Sequence, residues 1–519
     1  FMVIWNAKTE RAVVVDYREQ APLKASRDMF ASAIPAGAAP TDGDATDGRT
    51  GSSAGLTGRT GASQRPPSSL QGGLSVAVPG HVAGLCFALE RFGTMSLAEV
   101  LQPALRLAEE GVPADAQTVA AQKRALQRVA NAPDEKRRFR QLVQSYLNGG
   151  KPLKVGQPIV SPLSEGLRRI ARFGRRGFYS GPVAEDILRT VQADGGIITQ
   201  ADLDGVRPAL REPVRGRFGP YEIVSMPPPS SGGVALLETL NILSAYEAAH
   251  PASRLERLGH NSPRYLHLLI EAMKHAFADR AAYLGDADFA DVPVERLISR
   301  SYAAVLAKRI DADRTQSPEA YGRYLGPTDR GTSHFSVIDA EGNAVACTET
   351  INATFGSLLV TPRFGIVLNN EMDDFAAQPG RPNLYGLIQS EANAIAPRKR
   401  PLSSMTPTIV LRDGQAVHVL GASGGPRIIS TTLQVLLNLV RFRMTPRQAL
   451  DRPRIHHQWF PDEVLVEPTL FAAVRDELQR RGHHVVRRRS LAVCQAASRL
   501  KQGLSGAADR RKHGRAAGW

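Results

Sequence analysis

The hydrophobic period of this chain changes near Thr332, and that change limits the possible folds more than any other feature of the sequence. Between residues 78 and about 314, apolar side chains recur every three or four positions, as in residues 97–110 and 263–284, which is typical of amphipathic helices. Beyond Thr332 the pattern predicts strands at residues 336–339, 344–351, 365–369, 408–412 and 416–420. Helices and antiparallel strands in separate blocks predict an α+β fold with layered packing.

Turn signals on both sides of this boundary predict specific connections. Residues 2–6 and 11–17 are apolar and β-branched, which predicts a hairpin at the start of the chain, and Asp413-Gly414 predicts a second hairpin. A run of prolines, serines and glycines at 227–233 must be a loop. Residues 428–440 have the pattern of an apolar helix.

A long stretch without periodicity covers residues 35–73. Gly, Ser, Thr, Asp and Pro dominate this stretch. Such a composition cannot bury enough apolar surface to offset the entropy of ordering the chain. We therefore predict a disordered surface insertion that carries no function.

Composition places the chain among globular proteins and argues against several other classes. With 519 residues and 42% hydrophobic content, it can bury a large core. Its apolar runs fall well short of the roughly eighteen residues that a membrane span needs, and it opens on Phe1 without a recognisable leader. Cys86, Cys347 and Cys494 are odd in number and far apart, so we expect buried thiols and neither a disulfide framework nor a zinc site.

The formal net charge of +15 raises the question of a nucleic-acid partner. Basic residues cluster at positions 136–140, 168–176, 487–489 and 509–515. No motif that reads a nucleic-acid groove accompanies these clusters, and arginine-rich solvated helix faces are common. We therefore interpret them as solvated surface and predict no nucleic-acid partner.

One motif suited to chemistry is Gly421-Ala422-Ser423-Gly424-Gly425. It fits the G-x-S-x-G nucleophile elbow between a strand and a helix, and Asp451, His456 and His457 follow it. The glycine pair suits an oxyanion cradle equally well, because bare backbone amides can point at a developing negative charge. This segment alone leaves both a Ser423 nucleophile and an oxyanion site open.

Two further motifs are less specific by themselves. Residues 369–374, Asn-Asn-Glu-Met-Asp-Asp, follow a predicted strand, where carboxylates could bind a metal ion or a substrate ammonium group. A turn with Asx capping explains the same residues, and the absence of histidine and of regular ligand spacing disfavours calcium. The third motif, Gly331-Thr332-Ser333-His334, is by itself typical of a turn at a strand edge.

Taken together, these motifs resemble the γ-glutamyltransferases (γ-glutamyltranspeptidases, glutathione hydrolases), a branch of the N-terminal nucleophile hydrolases. The matching stretches of the second half are residues 332–337, 342–345, 350–352, 355–357, 368–375, 399–407, 424–425 and 456–459. The first half matches at residues 16–19, 21–22, 78–80, 226–233 and 283–286. The order and spacing of so many separate motifs make a chance match implausible.

The resemblance implies a role for each matching position of the catalytic machinery. It makes Thr332 the nucleophile and gives Thr350 a hydrogen bond to its hydroxyl. It makes the backbone amides of Gly424 and Gly425 the oxyanion hole, which removes the elbow role from Ser423.

The resemblance also implies a site for the α-carboxylate and the α-ammonium of the substrate. The residues expected to hold the substrate α-carboxylate are Arg18, Ser403 and Ser404. Those expected to hold the α-ammonium are Asn352, Glu371 and Asp374. A guanidinium suits a carboxylate and acidic groups suit an ammonium. Residues 375–401 match the lid loop of bacterial members, with Tyr385 as the lid tyrosine.

The implied fold is a four-layer αββα sandwich, and the implied enzyme cleaves itself before Thr332. Residues 1–331 become a large subunit and residues 332–519 a small catalytic subunit, and the two form a heterodimer. The implied activity is γ-glutamyl transfer and hydrolysis of glutathione, with amino acids or peptides as acceptors and no metal or organic cofactor. The family is periplasmic or secreted, although this chain carries no export signal.

Three alternative functions remain open, and the sequence differs from the family pattern in two ways. A glutaryl acylase or a polyglutamate transferase would keep Thr332 and change the pocket. A Ser423 hydrolase would not need Thr332, and an unprocessed precursor would have no activity. Family members carry about a hundred further N-terminal residues, and the insertion at 35–73 is longer than their usual connection.

Overall fold

A computed structural model of the chain describes residues 1–30, 67–130, 137–322, 332–376 and 390–518. Its strands are β1 Met2–Asn6, β2 Arg11–Asp16, β3 Val112–Pro113, β4 Pro158–Ile159, β5 Ala209–Arg211, β6 Val214–Phe218, β7 Tyr221–Ser225, β8 Thr332–Ile338, β9 Ala344–Thr350, β10 Thr408–Arg412, β11 Gln415–Ser423, β12 Ile455–His456, β13 Val464–Val466, β14 Val485–Arg487, β15 Val493–Leu500 and β16 Gly503–Ala508.

The helices of the first half are α1 His81–Phe92, α2 Leu97–Glu110, α3 Ala116–Ala130, α4 Arg140–Ser145, α5 Leu163–Phe173, α6 Arg176–Tyr179, α7 Pro182–Ala193, α8 Gln200–Gly205, α9 Gly232–Ala249, α10 Leu255–Leu258, α11 Pro263–Tyr283, α12 Val294–Leu297 and α13 Arg300–Ala307. Those of the second half are α14 Arg427–Val440, α15 Pro446–Asp451 and α16 Pro468–Arg480.

Two sheets form the centre of the fold, a first sheet of five strands and a second sheet of six. One has the strand order β5-β2-β1-β9-β8, and the other has the order β16-β15-β11-β10-β7-β6. Each sheet therefore combines strands from before and after Thr332, because β1 pairs with β9 and β7 pairs with β10. The two halves of the chain cannot form either sheet separately.

The sheets pack face to face and carry helices on their outer faces. Strands β8 and β9 contact β11, α1 contacts β2, and α14 contacts β11 and β15. In β1, Val3 and Trp5 point into the main core, whereas Met2 and Ile4 pack on the opposite side with Val15 and Tyr17. This alternation follows from the two-residue period of a strand. The result is the α+β, four-layer αββα arrangement that the family resemblance implies.

Helix α9 is mostly apolar and is buried along most of its length, and its position explains why. It contacts α11, α13 and α14 as well as β6 and β7. A helix that is hydrophobic all round must be covered on all sides. Buried α9 therefore lies between strands β6 and β7 on one side and the helices α11, α13 and α14 on the others.

Several local predictions are confirmed, and others need correction. The hairpins joining β1 to β2 and β10 to β11 form as predicted, and the three cysteines are buried and free. Residues 365–369, predicted as a strand, make only an isolated bridge between Val360 and Val367, because the tight Thr361 to Gly365 turn folds the segment onto itself. Strands β5 to β7 lie within the region predicted as helical; their hairpin was overlooked.

Most of the predicted insertion lies outside the described residues. Its last residues, 67–73, are described and have specific partners: the Ser69 hydroxyl donates to the Asp373 carboxylate at 2.7 Å, and the Gly73 N–H donates to Asp194 at 2.9 Å. This end of the segment is therefore ordered against the rest of the fold. Among the described helices, we find none with the length and apolarity that crossing a membrane requires.

Candidate active site

Thr332 is the first residue of β8 and faces the second sheet. In the β8–β9 ladder Thr332 lies opposite Thr350, and the Thr332 hydroxyl donates to the Thr350 hydroxyl with an O–O distance of 3.3 Å. The Thr350 hydroxyl also accepts the Asn352 N–H at 2.9 Å. Strand alternation buries Thr332 and His334 on the inner face and exposes Ser333 on the outer one. The predicted nucleophile therefore lies on the buried face of its strand.

The His334 side chain of β8 packs against Gly421 of β11 and so links the two sheets beside Thr332. Its Nδ1 lies 2.7 Å from the Thr348 hydroxyl and its Nε2 lies 3.0 Å from the Ser336 hydroxyl. Burial lowers the pKa of His334 to about 3, so the ring is neutral at physiological pH. A Cβ added at Gly421 would lie 2.3 Å from the His334 ring, so only glycine permits this approach. The contact holds β11, and with it the turn at Gly424, against β8.

Replacing Gly421 with alanine should therefore disturb the alignment of the two sheets. The new methyl group would overlap a buried ring that both neighbouring hydroxyls hold in place, and overpacking of this kind costs about 1–3 kcal/mol. We expect a lower thermal unfolding midpoint and slower conversion of the precursor to two chains. Gly166→Ala in α5 is the matched control, because its nearest neighbour would be Phe364 at 3.7 Å, an ordinary contact. Equal melting temperatures for the two variants would contradict this account.

The glycine pair lies at the turn between β11 and α14. Gly424 has φ 135° and Gly425 has φ 55°, values that favour glycine at both positions. The N-terminal end of α14 follows directly, and it adds the positive end of the helix dipole to this turn. Backbone amides in such a turn can bind an oxyanion.

Within the described residues, Ser423 has none of the partners that an elbow nucleophile needs. Its hydroxyl donates to the Val493 carbonyl at 3.4 Å. The histidines that follow it are engaged elsewhere, because His456 contacts the Ser430 hydroxyl at 2.7 Å and His457 contacts Asp462 at 3.2 Å. The geometry therefore favours the oxyanion interpretation of the glycine-rich segment over a Ser423 nucleophile.

Arg18, just after β2, forms the centre of a buried charge cluster. Its guanidinium lies 2.7 Å from Glu371, 3.5 Å from Glu19 and in close hydrogen-bonding contact with Asp374. Its Nε donates to the Pro401 carbonyl at 3.2 Å. Burial disfavours charge on Arg18, but the adjacent carboxylates outweigh it and hold the pKa of the guanidinium above its usual value.

Glu371 is a fully buried acidic residue. Burial raises the pKa of its carboxyl well above the ordinary value, and the nearby Arg18 opposes that shift. Neither carboxylate oxygen makes a hydrogen bond of good geometry within the described residues. A buried acidic group with open acceptor positions is suited to a cationic ligand.

Asn352 and Asn370 connect this cluster to the nucleophile strand. Asn352 has φ 67°, and its Nδ2 donates to the Asn370 carbonyl at 2.9 Å. Within the described chain, the Asn352 Oδ1 and the Asn370 Nδ2 are buried and lack a hydrogen-bond partner. Because buried polar atoms rarely remain unsatisfied, these two atoms mark a place where a polar ligand could bind.

Ser403 and Ser404 lie in the segment that follows the Arg18 contact at Pro401. The Ser403 carbonyl accepts the Ser231 N–H at 2.8 Å and the Ser231 hydroxyl at 2.6 Å. The Ser404 hydroxyl accepts from Arg280 at 3.4 Å. The sequence offers little indication of Ser231 and Arg280, because Ser231 lies in the run at 227–233 and Arg280 is one of two arginines in the helix pattern.

The predicted site residues form two groups of direct contacts, one of Thr332, Thr350 and Asn352 and one of Arg18, Glu371 and Asp374, and the Asn352 bond to Asn370 brings the two groups together. Asn393 contacts the second group, because its Nδ2 donates to the Asp374 carbonyl, and its Oδ1 accepts the Leu402 N–H. Tyr385 and Gly331 lie outside the described residues. The described ends of the predicted lid meet at a bridge between Ala376 and Ala394.

The residues 369–374 do not point at a common ion. The Asn369 Oδ1 accepts the Ala77 and Glu371 N–H groups, and the Asn370 Oδ1 accepts the Ala353 N–H. Asx capping, one of the two interpretations left open by the sequence, is therefore present. It coexists with the pairing of Glu371 and Asp374 to Arg18.

Among the described residues, His267, Glu271 and His483 form a further cluster with metal-ligand chemistry. One potential ligand atom from each lies within 4.8 Å of the others. These atoms are already hydrogen-bonded, because the two histidines contact each other at 2.7 Å and Glu271 accepts from Thr315 and Tyr321. The cluster anchors the segment before Thr332 to α11.

Comparisons with known proteins show what the whole chain resembles. The sequence profile described as gamma-glutamyltranspeptidase matches residues 1–519. The glutathione hydrolase proenzyme of Escherichia coli (strain K12) is 38% identical over 506 residues, covering 96% of this chain and 79% of that protein. The Acylase ACY 1 proenzyme of Pseudomonas sp. (strain SE83) is 39% identical over 82% of this chain and 71% of its own length.

Solved structures with the same architecture include an acylase and a gamma-glutamyltranspeptidase. The cephalosporin acylase of Bacillus halodurans superposes with a TM-score of 0.80 at 25% identity, covering 100% of this chain and 86% of the acylase. The gamma-glutamyltranspeptidase of Helicobacter pylori superposes with a TM-score of 0.50 at 32% identity over 62% of this chain and 81% of its own. The fold class expected from the sequence is thereby confirmed.

Proposed function

The chain belongs to the γ-glutamyltranspeptidase family, and from this membership and the geometry of its site we propose that it hydrolyses and transfers γ-glutamyl groups. Glutathione and other γ-glutamyl amides are the proposed donors, and water, amino acids or peptides are the proposed acceptors. One observation carries the proposal: the buried Thr332 hydroxyl is linked through Thr350 and Asn352 to Asn370, the residue before Glu371, in a cluster suited to the carboxylate and the ammonium of an amino acid. That cluster is Arg18 with Glu371 and Asp374.

The proposed chemistry needs a nucleophile, a base and an oxyanion site from this chain. The Thr332 hydroxyl attacks the γ-carbonyl of the donor, its proton passes to the free α-amino group of Thr332, and the leaving amine takes a proton from the same group. An unperturbed α-amino group has a pKa of about 7.7–8.0, so it can act as base and then as acid. The N–H groups of Gly424 and Gly425 stabilise the oxyanion. Water or an acceptor amine then resolves the ester.

The free amine of Thr332 has to be generated by cleavage of the precursor. The Thr332 hydroxyl adds to the Gly331 carbonyl, an N-to-O shift gives an ester, and water releases the two chains. The term proenzyme in the names of similar proteins supports this step. The products are a large subunit of residues 1–331 and a small subunit of residues 332–519, which stay together because both sheets contain strands of each. We expect a periplasmic or secreted location, as the family resemblance implies.

The assay that tests the proposal is release of p-nitroaniline from γ-glutamyl p-nitroanilide by purified cleaved protein, with and without an acceptor dipeptide. We expect turnover in both cases and a γ-glutamyl dipeptide product in the second. Protein that is folded and cleaved but inactive on this donor would contradict the proposed function.

Substitutions of Arg18 and Thr350 should have different effects on KM and kcat. Arg18→Ala removes a contact to the ground-state carboxylate and should raise KM more than about tenfold with a smaller change in kcat. Thr350→Ala removes the hydroxyl that contacts Thr332 and should slow maturation and lower kcat by about 10²-fold.

Steady-state kinetics, normalised to the cleaved fraction on a denaturing gel, separate the two effects. Arg18→Lys keeps the charge without the planar fork and should lie between wild type and Arg18→Ala. An unchanged KM in Arg18→Ala would argue against the carboxylate assignment.

A further inference from the structure

Arg280, near the end of α11, is a fully buried arginine with no acidic partner in the described part of the chain. It is 1% exposed, and no carboxylate of the described residues lies within 4.0 Å of its guanidinium. Its Nε donates to the Ser231 hydroxyl at 2.9 Å, and its Nη2 donates to the Ser404 hydroxyl at 3.4 Å. Its Nη1 is buried and has no hydrogen-bond partner among the described groups.

A buried guanidinium without a counter-ion is unfavourable, so its persistence requires an explanation. Burial lowers the pKa of Arg280 to about 10, and the charge of Asp374 opposes this shift. The side chain therefore remains protonated at physiological pH. Two hydroxyl contacts only partly replace the hydration of a guanidinium, and the open Nη1 position can take an anionic acceptor.

The charge balance of the pocket indicates which anion would bind. Arg18 already faces three carboxylates, those of Glu19, Glu371 and Asp374. Because these three acidic groups already engage its guanidinium, Arg18 has little capacity left for a further carboxylate. Arg280 supplies a second positive charge within the electrostatic range of Asp374. Two cations facing these acids suit a ligand that carries one carboxylate and one ammonium.

Arg280 also positions both serines assigned to the carboxylate. The Ser404 hydroxyl accepts from Arg280, which leaves its own proton free to donate to a ligand, and hydrogen bonding to a cation strengthens such a donor. The Ser231 hydroxyl accepts from Arg280 and donates to the Ser403 carbonyl at 2.6 Å. The guanidinium thus connects α11 to the segment that carries Ser403 and Ser404.

We propose that Arg280 is a specificity-determining residue that makes this site select donors with a free α-carboxylate, through the Ser404 hydroxyl and its own Nη1. This inference rests on the proposed function and adds a residue to the recognition of the donor. Arg18 holds the carboxylate against the acidic cluster, and Arg280 offsets the negative charge of that cluster.

The test compares two donors in wild type and Arg280→Met. One donor is γ-glutamyl p-nitroanilide, and the other is the same compound with the α-carboxylate converted to a carboxamide, which keeps the ammonium. Arg280→Met should lower kcat/KM for the carboxylate donor about 10- to 100-fold, mainly through KM, because a charge-assisted contact is lost. It should change kcat/KM for the carboxamide donor less than about threefold. The preference for the carboxylate should therefore fall at least about tenfold.

Two further variants separate recognition from stability. Arg280→Lys keeps the charge and should retain a measurable preference, and it replaces Arg280→Met if that protein does not fold. Arg264→Met, at an exposed position of the same helix, should leave the preference unchanged. If Arg280 has a purely structural role, Arg280→Met should lower kcat/KM equally for both donors, and so should Arg280→Lys where that variant is used. Such a result would overturn the inference.

The outcomes also separate this inference from the proposed function. If wild type turns over the γ-glutamyl donor and Arg280→Met, or Arg280→Lys in its place, keeps the full wild-type preference for the carboxylate donor, the inference fails and the proposed function stands. If folded, cleaved wild type does not turn over this donor, both fail.

Discussion

Replacing Thr332 with alanine should leave the purified protein as one chain of 519 residues and lower γ-glutamyl hydrolysis at least about 10³-fold. The change removes the hydroxyl that attacks the Gly331 carbonyl during maturation and the donor carbonyl during turnover. It also prevents formation of the free amine that acts as base, so both functions of this residue are lost together.

A denaturing gel and N-terminal sequencing measure the first effect. Wild type should show two chains, and the smaller one should begin Thr-Ser-His-Phe. Thr332→Ala should show a single band with an unchanged fold by circular dichroism. Cleavage that persists in Thr332→Ala would overturn the proposed maturation mechanism.

Neighbouring hydroxyl residues provide matched controls for this variant. Ser333→Ala removes the adjacent hydroxyl, which points away from the second sheet, and should be processed normally. Thr332→Ser keeps a hydroxyl and should be cleaved, more slowly. Ser423→Ala should still be cleaved and active, whereas a hydrolase with a Ser423 nucleophile would lose its activity.

The second large effect concerns the donor: γ-glutamyl p-nitroanilide should be favoured over glutaryl p-nitroanilide by on the order of 10⁴-fold in kcat/KM. The glutaryl donor keeps the carboxylate and lacks the ammonium. It would therefore leave Glu371 and Asp374 without the ligand cation that complements them beside Arg18, and it would leave the Asn352 Oδ1 unsatisfied.

This comparison separates the two activities that similar proteins carry in their names. The chain resembles glutathione hydrolase proenzymes and Acylase ACY 1 proenzymes at nearly equal identity, 38% and 39%, so sequence similarity alone does not choose between them. A kcat/KM ratio near one, or one that favours glutaryl, would replace the γ-glutamyl proposal with an acylase and retain Thr332 as nucleophile.

Changing the acidic groups should reduce this donor preference in a graded manner. Asp374→Asn removes one negative charge and keeps the size of the side chain, so the ratio should fall about 10- to 100-fold. Ser403→Ala acts on the carboxylate side, which both donors share, and should lower both activities with little change in the ratio. The same ratio in Asp374→Asn and wild type would argue against the ammonium assignment.

The sequence by itself determined the local structure and the family of this protein. Hairpins at Asp413-Gly414 and at the start of the chain depend on residues that are neighbours in sequence, and both form as predicted. The motif around Thr332 was uninformative alone, and only its order among many other motifs indicated the family. The hydrophobic pattern does not predict every element correctly: residues 365–369 have the pattern of a strand, yet Val367 forms only an isolated bridge.

Only the tertiary structure decided which charges meet. Arg18 and Asp374 are 356 positions apart, and no periodicity relates them. Whether a buried arginine is neutralised depends on every group around it. That Arg280 contacts hydroxyls and no carboxylate among the described residues is therefore visible only once α11, the 227–233 loop and the Ser403 segment are brought together. The physical reason is that helix and hairpin formation depends on neighbours a few residues apart, whereas the electrostatic balance of a buried site depends on segments that meet only in the folded chain.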